Sequence, residues 1–257
     1  GRQKNRSEVT SGKMHKQMLA TRELLNEQVR IAAQQIADEA KIALHNVPLA
    51  LVGRRQLLMV EDLQLPFVSH DLGALNLELH NQARVAITGS NGCGKSTLLR
   101  VLAGQQKPLT GTYSVQAKYA YLDQHLTGLL PELSVLEQLQ EANPEASEGE
   151  LRNRLVHLGL DARKVTIKSQ FLSGGERLKA ALACVLYAAE PPALLLLDEP
   201  DNHMDLPSLF ALEVLLSSYQ GALLVVSHDE IFLGKLGLTN RLAITSNTWQ
   251  FSAWESS

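Results

Sequence analysis

The sequence predicts an α/β fold in which helices enclose a parallel sheet, an antiparallel β flank precedes it, and a helical lobe interrupts it. Three observations lead to this fold class. Short apolar runs alternate with helical stretches from Arg84 onward, a glycine-rich loop joins the first run to its helix, and residues 58–63 and 75–79 are apolar at about every second position. Strands that alternate with helices form parallel sheets, whereas a period of two indicates strands that bury one face.

Residues 1–50, which we call the N-terminal arm, predict one long helix. From residue 14 the apolar positions recur at steps of three, four or seven, and Asn46 and Pro48 end the pattern. The apolar positions are Met14, Met18, Leu25, Val29, Ala32, Ile36 and Ala40. This stripe is too narrow for a helix buried in a core. We therefore expect the helix to pair with one other helix, as half of a helical hairpin in a longer protein.

The arm also differs in charge from the rest of the chain. Residues 1–30 contain seven Lys or Arg and three Glu, a net charge of +4, so the net charge of −3 for the whole chain leaves −7 on the remainder. A basic segment on an acidic body favours contact of the arm with nucleic acid or another polyanion. Charge alone is equally compatible with a solvated helix face.

Residues 57–257 predict a single domain. Strands are expected at residues 84–88, at two places within 111–124, at 194–197 and at 222–226. Helices are expected at residues 95–103, at 134–160 with a break at Asn143 and Pro144, after Gly175, and at 207–218, followed by a short C-terminal tail. The helical lobe is expected at about residues 130–175.

Composition excludes several classes of protein. Hydrophobic residues make up 45% and charged residues 20% of the chain, as in ordinary globular proteins. No apolar run approaches the roughly 18–20 residues of a membrane helix, so no direct membrane insertion is expected. Cys93 and Cys184 lack metal-ligand spacing, which favours a reducing, cytoplasmic location.

The glycine-rich loop has the spacing of a P-loop. It consists of Gly89, Ser90, Asn91, Gly92, Cys93, Gly94, Lys95, Ser96 and Thr97, between a predicted strand and a predicted helix. Its backbone N–H groups and the helix N-terminus can bind phosphate, Lys95 can reach the β- and γ-phosphates of ATP, and the hydroxyl of Ser96 can bind Mg²⁺. The sequence therefore predicts a P-loop NTPase.

Two further motifs carry acidic or hydroxyl groups. The apolar run 194–197 ends at Asp198, which can hold the water shell of Mg²⁺, and Glu199, which can accept the proton of an attacking water. Ser173, Gly174, Gly175 and Glu176 precede a predicted helix, where a hydroxyl and free amides can face phosphate. Taken alone, Ser173 could equally be an ordinary helix N-cap.

The order of these motifs over residues 57–245 resembles the ATP-binding cassette (ABC) family. The resemblance implies head-to-tail pairing with a second cassette, in the same full-length chain or in a homodimer, with Ser173 acting on the partner's ATP. It also implies that Gln124 meets Mg²⁺ and water, that His228 contacts the γ-phosphate, and that Asp205 lies in the loop that crosses to the opposite site. Phe67 matches the aromatic residue that stacks on adenine, although a core phenylalanine is an equal alternative.

The motif details resemble the ABC-F group, soluble tandem-cassette ATPases of which most act on the ribosome. Asn202 and His203 follow the Asp-Glu pair, and a Ser-His-Asp run surrounds His228. The arm then corresponds to the linker between cassettes, in contact with ribosomal RNA, and residues 57–257 to the second cassette. An ATPase subunit of a transporter, or a module that uses ATP only as a clamp, remain alternatives. Asp201 and Glu230 depart from the usual Thr and Arg.

Overall fold

The computed structural model describes residues 55–255 apart from residues 70, 124, 125, 127 and 203. The predicted N-terminal arm, Gln124 and His203 therefore lie outside the described residues.

A six-stranded sheet forms the centre of the domain. Its strands are β3 (Arg84–Gly89), β5 (Tyr119–Leu122), β6 (Leu194–Asp198), β7 (Ala222–Val226), β8 (Asn240–Ile244) and β9 (Trp249–Ala253), in the spatial order β5-β6-β7-β3-β8-β9. All neighbours are parallel except β8 and β9. Every residue of β6 and β7 is buried, as expected for central strands covered on both faces. The predicted parallel α/β core is confirmed.

An antiparallel sheet covers one face of this centre. It contains β1 (Gln56–Gln64), β2 (Leu75–His80) and β4 (Thr110–Val115) in the order β2-β1-β4. Helix α1 (Lys95–Leu102) belongs to the same hydrophobic cluster, through Leu98, Leu99, Val101 and Leu102. Alternate residues of β6 belong to this cluster and to the one on the opposite face. The predicted antiparallel flank is confirmed.

The hydrophobic cluster on the opposite face includes residues from four helices. They are α2 (Val135–Ala142), α3 (Glu148–His157), α4 (Gly174–Leu186) and α5 (Leu206–Ser218), with a single 3₁₀ turn at Ser169–Phe171 before α4. Helix α2 contacts α3 and α4, and α4 contacts α5. Ser134 and Ser147 cap α2 and α3, so the helical break predicted at Asn143 and Pro144 is confirmed.

The predicted short C-terminal tail is wrong. After β7 the chain forms a short helix, α6 (Glu230–Gly234), and then β8 and β9, which extend the central sheet beyond β3. In β8 only Leu242 and Ile244 are buried, and no residue of β9 is fully buried. Such short and exposed strands lack the apolar pattern by which β6 and β7 were predicted. In the described part of the chain, no helix is both long and apolar enough to cross a membrane.

Candidate active site

The P-loop lies where the sequence predicts it, between β3 and α1. The ammonium group of Lys95 donates to the carbonyl oxygens of Gly89 at 2.9 Å and Ser90 at 3.0 Å, and the side chain is only 6% exposed. The carbonyl groups of the loop thus hold its own lysine in place. A positive charge fixed in this way can stabilise phosphate with little reorganisation.

Gly94 allows the P-loop to pack against the loop that carries Phe67. Its φ of 112° lies in the region that favours glycine, and a Cβ atom there would lie 2.7 Å from Cγ1 of Val68. Phe67 itself is 92% exposed and has a φ of 62°. The alternative that Phe67 is a core residue is therefore wrong.

Phe67 and the P-loop line one open cavity of about 490 Å³, which we call the P-loop cavity. Its lining consists of Phe67, Asn91, Gly92, Gly94, Lys95, Ser96, Thr97, Glu199 and His228. An exposed aromatic ring, a cation and the backbone amides at a helix N-terminus suit a molecule with a flat apolar end and an anionic end.

Ser96 and Asp198 meet beside this cavity. The hydroxyl of Ser96 donates to Oδ1 of Asp198 at 2.9 Å, and the hydroxyl of Tyr121 donates to Oδ2 at 3.3 Å. Burial raises the pKa of Asp198, partly opposed by the hydrogen bond from Ser96. A hydroxyl and a carboxylate are hard oxygen ligands, which Mg²⁺ prefers, and a bound cation would favour the charged carboxylate. The residues present therefore fit a magnesium ion that also binds phosphate.

Glu199 follows directly and adopts a conformation that is unusual for its residue type. Its φ is 51°, and its backbone N–H donates to the carbonyl of Val226 at 2.9 Å. The side-chain amide of Asn202 donates to Oε2, and Nε2 of His228 lies 3.6 Å from Oε1. Strained backbone of this kind clusters at functional sites. The carboxylate is thus held at the cavity wall, beside the histidine that the sequence predicts at the γ-phosphate.

The residues of the predicted signature lie at the start of α4. The Ser173 hydroxyl accepts from the N–H of Glu176 at 3.4 Å, and Oε2 of Glu176 accepts from the N–H of Ser173 at 3.0 Å, which forms a capping box. Lys164 holds the other oxygen of Glu176 at 2.5 Å. The side chain of Ser173 is exposed, and the described lining of the P-loop cavity includes none of the signature residues Ser173, Gly174, Gly175 and Glu176.

Asp205, and the two residues that depart from the usual family pattern, Asp201 and Glu230, each have a structural partner. Asp205 caps α5 by accepting from the N–H of Ser208 at 2.9 Å. Asp201 accepts from the hydroxyl of Ser227 at 2.8 Å, and burial raises its pKa. Glu230 forms an ion pair with Arg241 at 2.8 Å.

Sequence reasoning did not predict the contacts of Tyr121, Asn202 and Ser227. Tyr121 holds Asp198, Asn202 holds Glu199, and Ser227 joins Asp201 to the backbone beside His228. Asn202 and Ser227 each adjoin a predicted motif, which was the available signal. Tyr121 had none, because only the pairing of β5 with β6 brings it next to Asp198.

Comparison with known proteins agrees with this geometry. The dimeric ATP-binding cassette MJ0796, solved in a post-hydrolysis state with ADP and Pi, has a TM-score of 0.61 and 21% identity, over 78% of this chain and 100% of that chain. At this identity the likeness shows the fold, an ABC-type P-loop domain.

Curated relatives are more similar in sequence. The probable ATP-binding protein YheS of Escherichia coli strain K12 is 39% identical over 63% of this chain, and the Arabidopsis thaliana ABC transporter F family member 5 is 36% identical over 63%. The ribosome protection protein VmlR of Bacillus subtilis is 40% identical over 67%. The matched region spans about a quarter to a third of these relatives, namely 26%, 24% and 31%.

The predicted resemblance to ABC cassettes of the F group is confirmed by these relatives. A family model described as ABC transporter matches residues 72–202, about half of the chain, from the end of the β1–β2 connection to Asn202. The chain therefore belongs to the ABC transporter family.

Proposed function

We propose that this chain binds Mg-ATP in the P-loop cavity and hydrolyses it when a second cassette packs against it head to tail. The observation that supports this most directly is the division of the site. Lys95, Glu199 and His228 share one cavity, whereas Ser173 is exposed at a helix start outside the lining. A hydroxyl that presents itself at a helix N-terminus without a phosphate site of its own suits the cavity of another cassette.

The proposed roles combine the family resemblance with the positions of the described side chains. Phe67 stacks on the base, residues 89–97 and Lys95 bind the phosphates, and Ser96 with Asp198 holds Mg²⁺, with Gln124 as a further proposed ligand. Mg²⁺, when bound, neutralises charge that develops on the phosphates. Glu199 accepts the proton of the attacking water, and Asn202 and the backbone bond to Val226 orient its carboxylate. His228 contacts the γ-phosphate.

Head-to-tail pairing can be tested by the dependence of turnover on protein concentration. Because each site needs the signature of another cassette, ATP turnover per chain should be low at high dilution and should rise with concentration until pairing is complete. Analytical ultracentrifugation of Glu199→Gln with Mg-ATP provides the control, because that variant should accumulate as an ATP-bound pair. A turnover per chain that does not change with dilution would show that one cassette is sufficient.

We also propose that the chain is the second cassette of a cytoplasmic tandem ATPase that acts on the ribosome, with residues 1–50 as part of the linker, 57–257 as the cassette and about 130–175 as its helical subdomain. The likeness to VmlR, named a ribosome protection protein, and the net charge of +4 over residues 1–30 support this proposal. Phosphate contacts by Lys and Arg would bind RNA without reading its sequence.

The arm proposal predicts two separable effects. Deletion of residues 1–45 should leave ATP binding and thermal unfolding of the cassette nearly unchanged. In the full-length protein, neutralisation of Lys4, Arg6, Lys13 and Lys16 should weaken ribosome co-sedimentation, and the loss should shrink at high salt because phosphate contacts act by counterion release. If the arm is instead part of the core, the deletion should prevent folding, since each buried large apolar side chain contributes about 1.5–3 kcal/mol.

A further inference from the structure

Two loops leave neighbouring parallel strands at the wall of the P-loop cavity. Residues 199–202 follow β6 and residues 227–229 follow β7, and Asp198 pairs in register with Val226. The first loop carries Glu199 and the second carries His228, whose side chains approach to 3.6 Å. The relative position of the two loops therefore sets the distance between the proposed base and the proposed γ-phosphate ligand.

Two hydrogen bonds, which share the hydroxyl of Ser227, tie these loops together. The hydroxyl of Ser227 donates to Oδ2 of Asp201 at 2.8 Å and accepts from the backbone N–H of Asp229 at 2.9 Å. Ser227 is 3% exposed, so water does not compete for its hydroxyl. Asp201 lies two residues after Glu199, and Ser227 and Asp229 flank His228 in the sequence.

The chemistry of the groups around Ser227 determines which of them donate and which accept. The backbone N–H of Asp229 can only donate, so the hydroxyl of Ser227 accepts from it and gives its own hydrogen to Asp201. The second oxygen of Asp201, Oδ1, is buried and has no hydrogen-bond partner among the described residues. The bond from Ser227 is therefore the contact through which Asp201 can act on the second loop.

From this geometry we propose that Asp201 is a positioning residue for ATP hydrolysis, which holds His228 against Glu199 through the hydroxyl of Ser227. This inference rests on the proposed function. Asp201 does not line the cavity, so its loss should act on the chemical step more than on ATP binding. A carboxamide at position 201 keeps an acceptor for Ser227, whereas a methyl group does not.

Steady-state ATPase assays of the full chain, at concentrations where turnover per chain no longer rises, test this role. Asp201→Ala and Ser227→Ala should each lower kcat about 10-fold, within the range that small displacements of catalytic groups produce. The KM for ATP should stay within about twofold. The double variant should lose no more than either single variant, because both break one bridge. Asp201→Asn should keep a kcat within about twofold of the wild type.

Thermal unfolding supplies a readout that separates positioning from support of the fold. Asp201→Ala leaves the buried hydroxyl of Ser227 without its acceptor and should lower Tm, whereas the double variant should regain part of that Tm but none of the lost kcat. A wild-type kcat in Asp201→Ala, losses that multiply in the double variant, or an Asp201→Asn variant as impaired as Asp201→Ala would each overturn the inference. Glu199→Gln distinguishes the two conclusions: if it retains full activity, the proposed function is wrong, whereas its inactivity beside a fully active Asp201→Ala refutes this inference alone.

Discussion

Ser173 caps α4 and has a second, proposed role at the ATP of an opposing cassette, and substitutions that divide the two give the sharpest test of the proposed composite site. As the N-cap of α4 it accepts from the N–H of Glu176, and among the described residues its hydroxyl donates to none. The hydroxyl hydrogen is therefore available for a phosphate oxygen of an opposing cassette. Ser173→Ala removes both functions, whereas Ser173→Asp keeps the capping acceptor and replaces the donor with a negative charge.

The expected magnitudes follow from these contacts. Loss of the cap in Ser173→Ala should lower the free energy of unfolding by about 1 kcal/mol, which corresponds to about 2–4 °C in Tm for a domain of this size. Ser173→Asp should unfold within about 0.5 kcal/mol of the wild type, because a carboxylate is a good N-cap and favours the helix dipole. Both variants should lose ATP turnover by about 10²-fold or more, as for removal of one donor from an anion site.

Urea denaturation and steady-state ATPase assays on the same protein samples measure the two effects. An equal mixture of Ser173→Asp and Lys95→Ala adds a third measurement, because each mixed pair regains one intact site if the serine acts across the interface. Random pairing would restore about a quarter of the wild-type turnover. A Ser173→Asp variant with wild-type turnover would show that Ser173 is only a helix cap, and a mixture as inactive as its components would refute action across the interface.

Three further predictions concern the other parts of the site. Lys95→Ala should weaken ATP binding by about 2–5 kcal/mol, whereas Glu199→Gln should bind ATP normally and lose about 10²–10⁴ in rate. Equilibrium binding of a fluorescent ATP analogue and turnover assays separate the two effects. A Glu199→Gln variant with wild-type turnover would exclude Glu199 as the base. Phe67→Ala should weaken ATP binding by about 1–3 kcal/mol through lost stacking without lowering Tm, since the ring is exposed; unchanged ATP affinity would contradict this, and Phe67→Trp is the control. Asp205→Ala should lower the free energy of unfolding by about 1 kcal/mol at pH 7. Hydrogen bonds from Ser208 hold the pKa of Asp205 below its ordinary value, so this contribution is present above about pH 3.9 and declines as the pH falls through the lowered pKa. Urea unfolding at pH 7 and about pH 3 checks it, with Asp205→Asn as the control that keeps a cap, and a difference that does not shrink in acid would contradict it.

The sequence predicted the features that follow from local patterns. The P-loop, the acidic end of β6 and the cap of α4 are each contiguous runs whose residue types dictate a backbone shape, and the structure has these elements at those residues. Strand β9 was missed because it lies at a sheet edge and has no fully buried residue, and β8 was missed because it buries only Leu242 and Ile244. An apolar pattern therefore predicts strands in the centre of a sheet but not exposed strands at its edge.

The features of the site that the sequence did not predict depend on contacts between residues distant in sequence. The spacing of Phe67 from the P-loop could not distinguish a buried ring from an exposed one, because exposure depends on how its loop packs against the P-loop, where Val68 lies close to Gly94. Likewise, Asp201 and Ser227 are 26 residues apart and meet only because β6 and β7 are neighbours in the sheet. No period of two or 3.6 residues contains that information.

The close approach of α4 and α5 has a mechanical consequence. A Cβ atom at Gly175 would lie 2.9 Å from Oγ of Ser208, and Lys179 interacts electrostatically with both Asp205 and Glu176. The two segments that this cassette would extend into its partner's site thus begin at one tightly packed corner and should translate together. During release of products, the opposing nucleotide would lose its contacts with the Ser173 segment and the Asp205 loop in a single movement. The two segments would then leave the neighbouring cassette together, as one rigid unit.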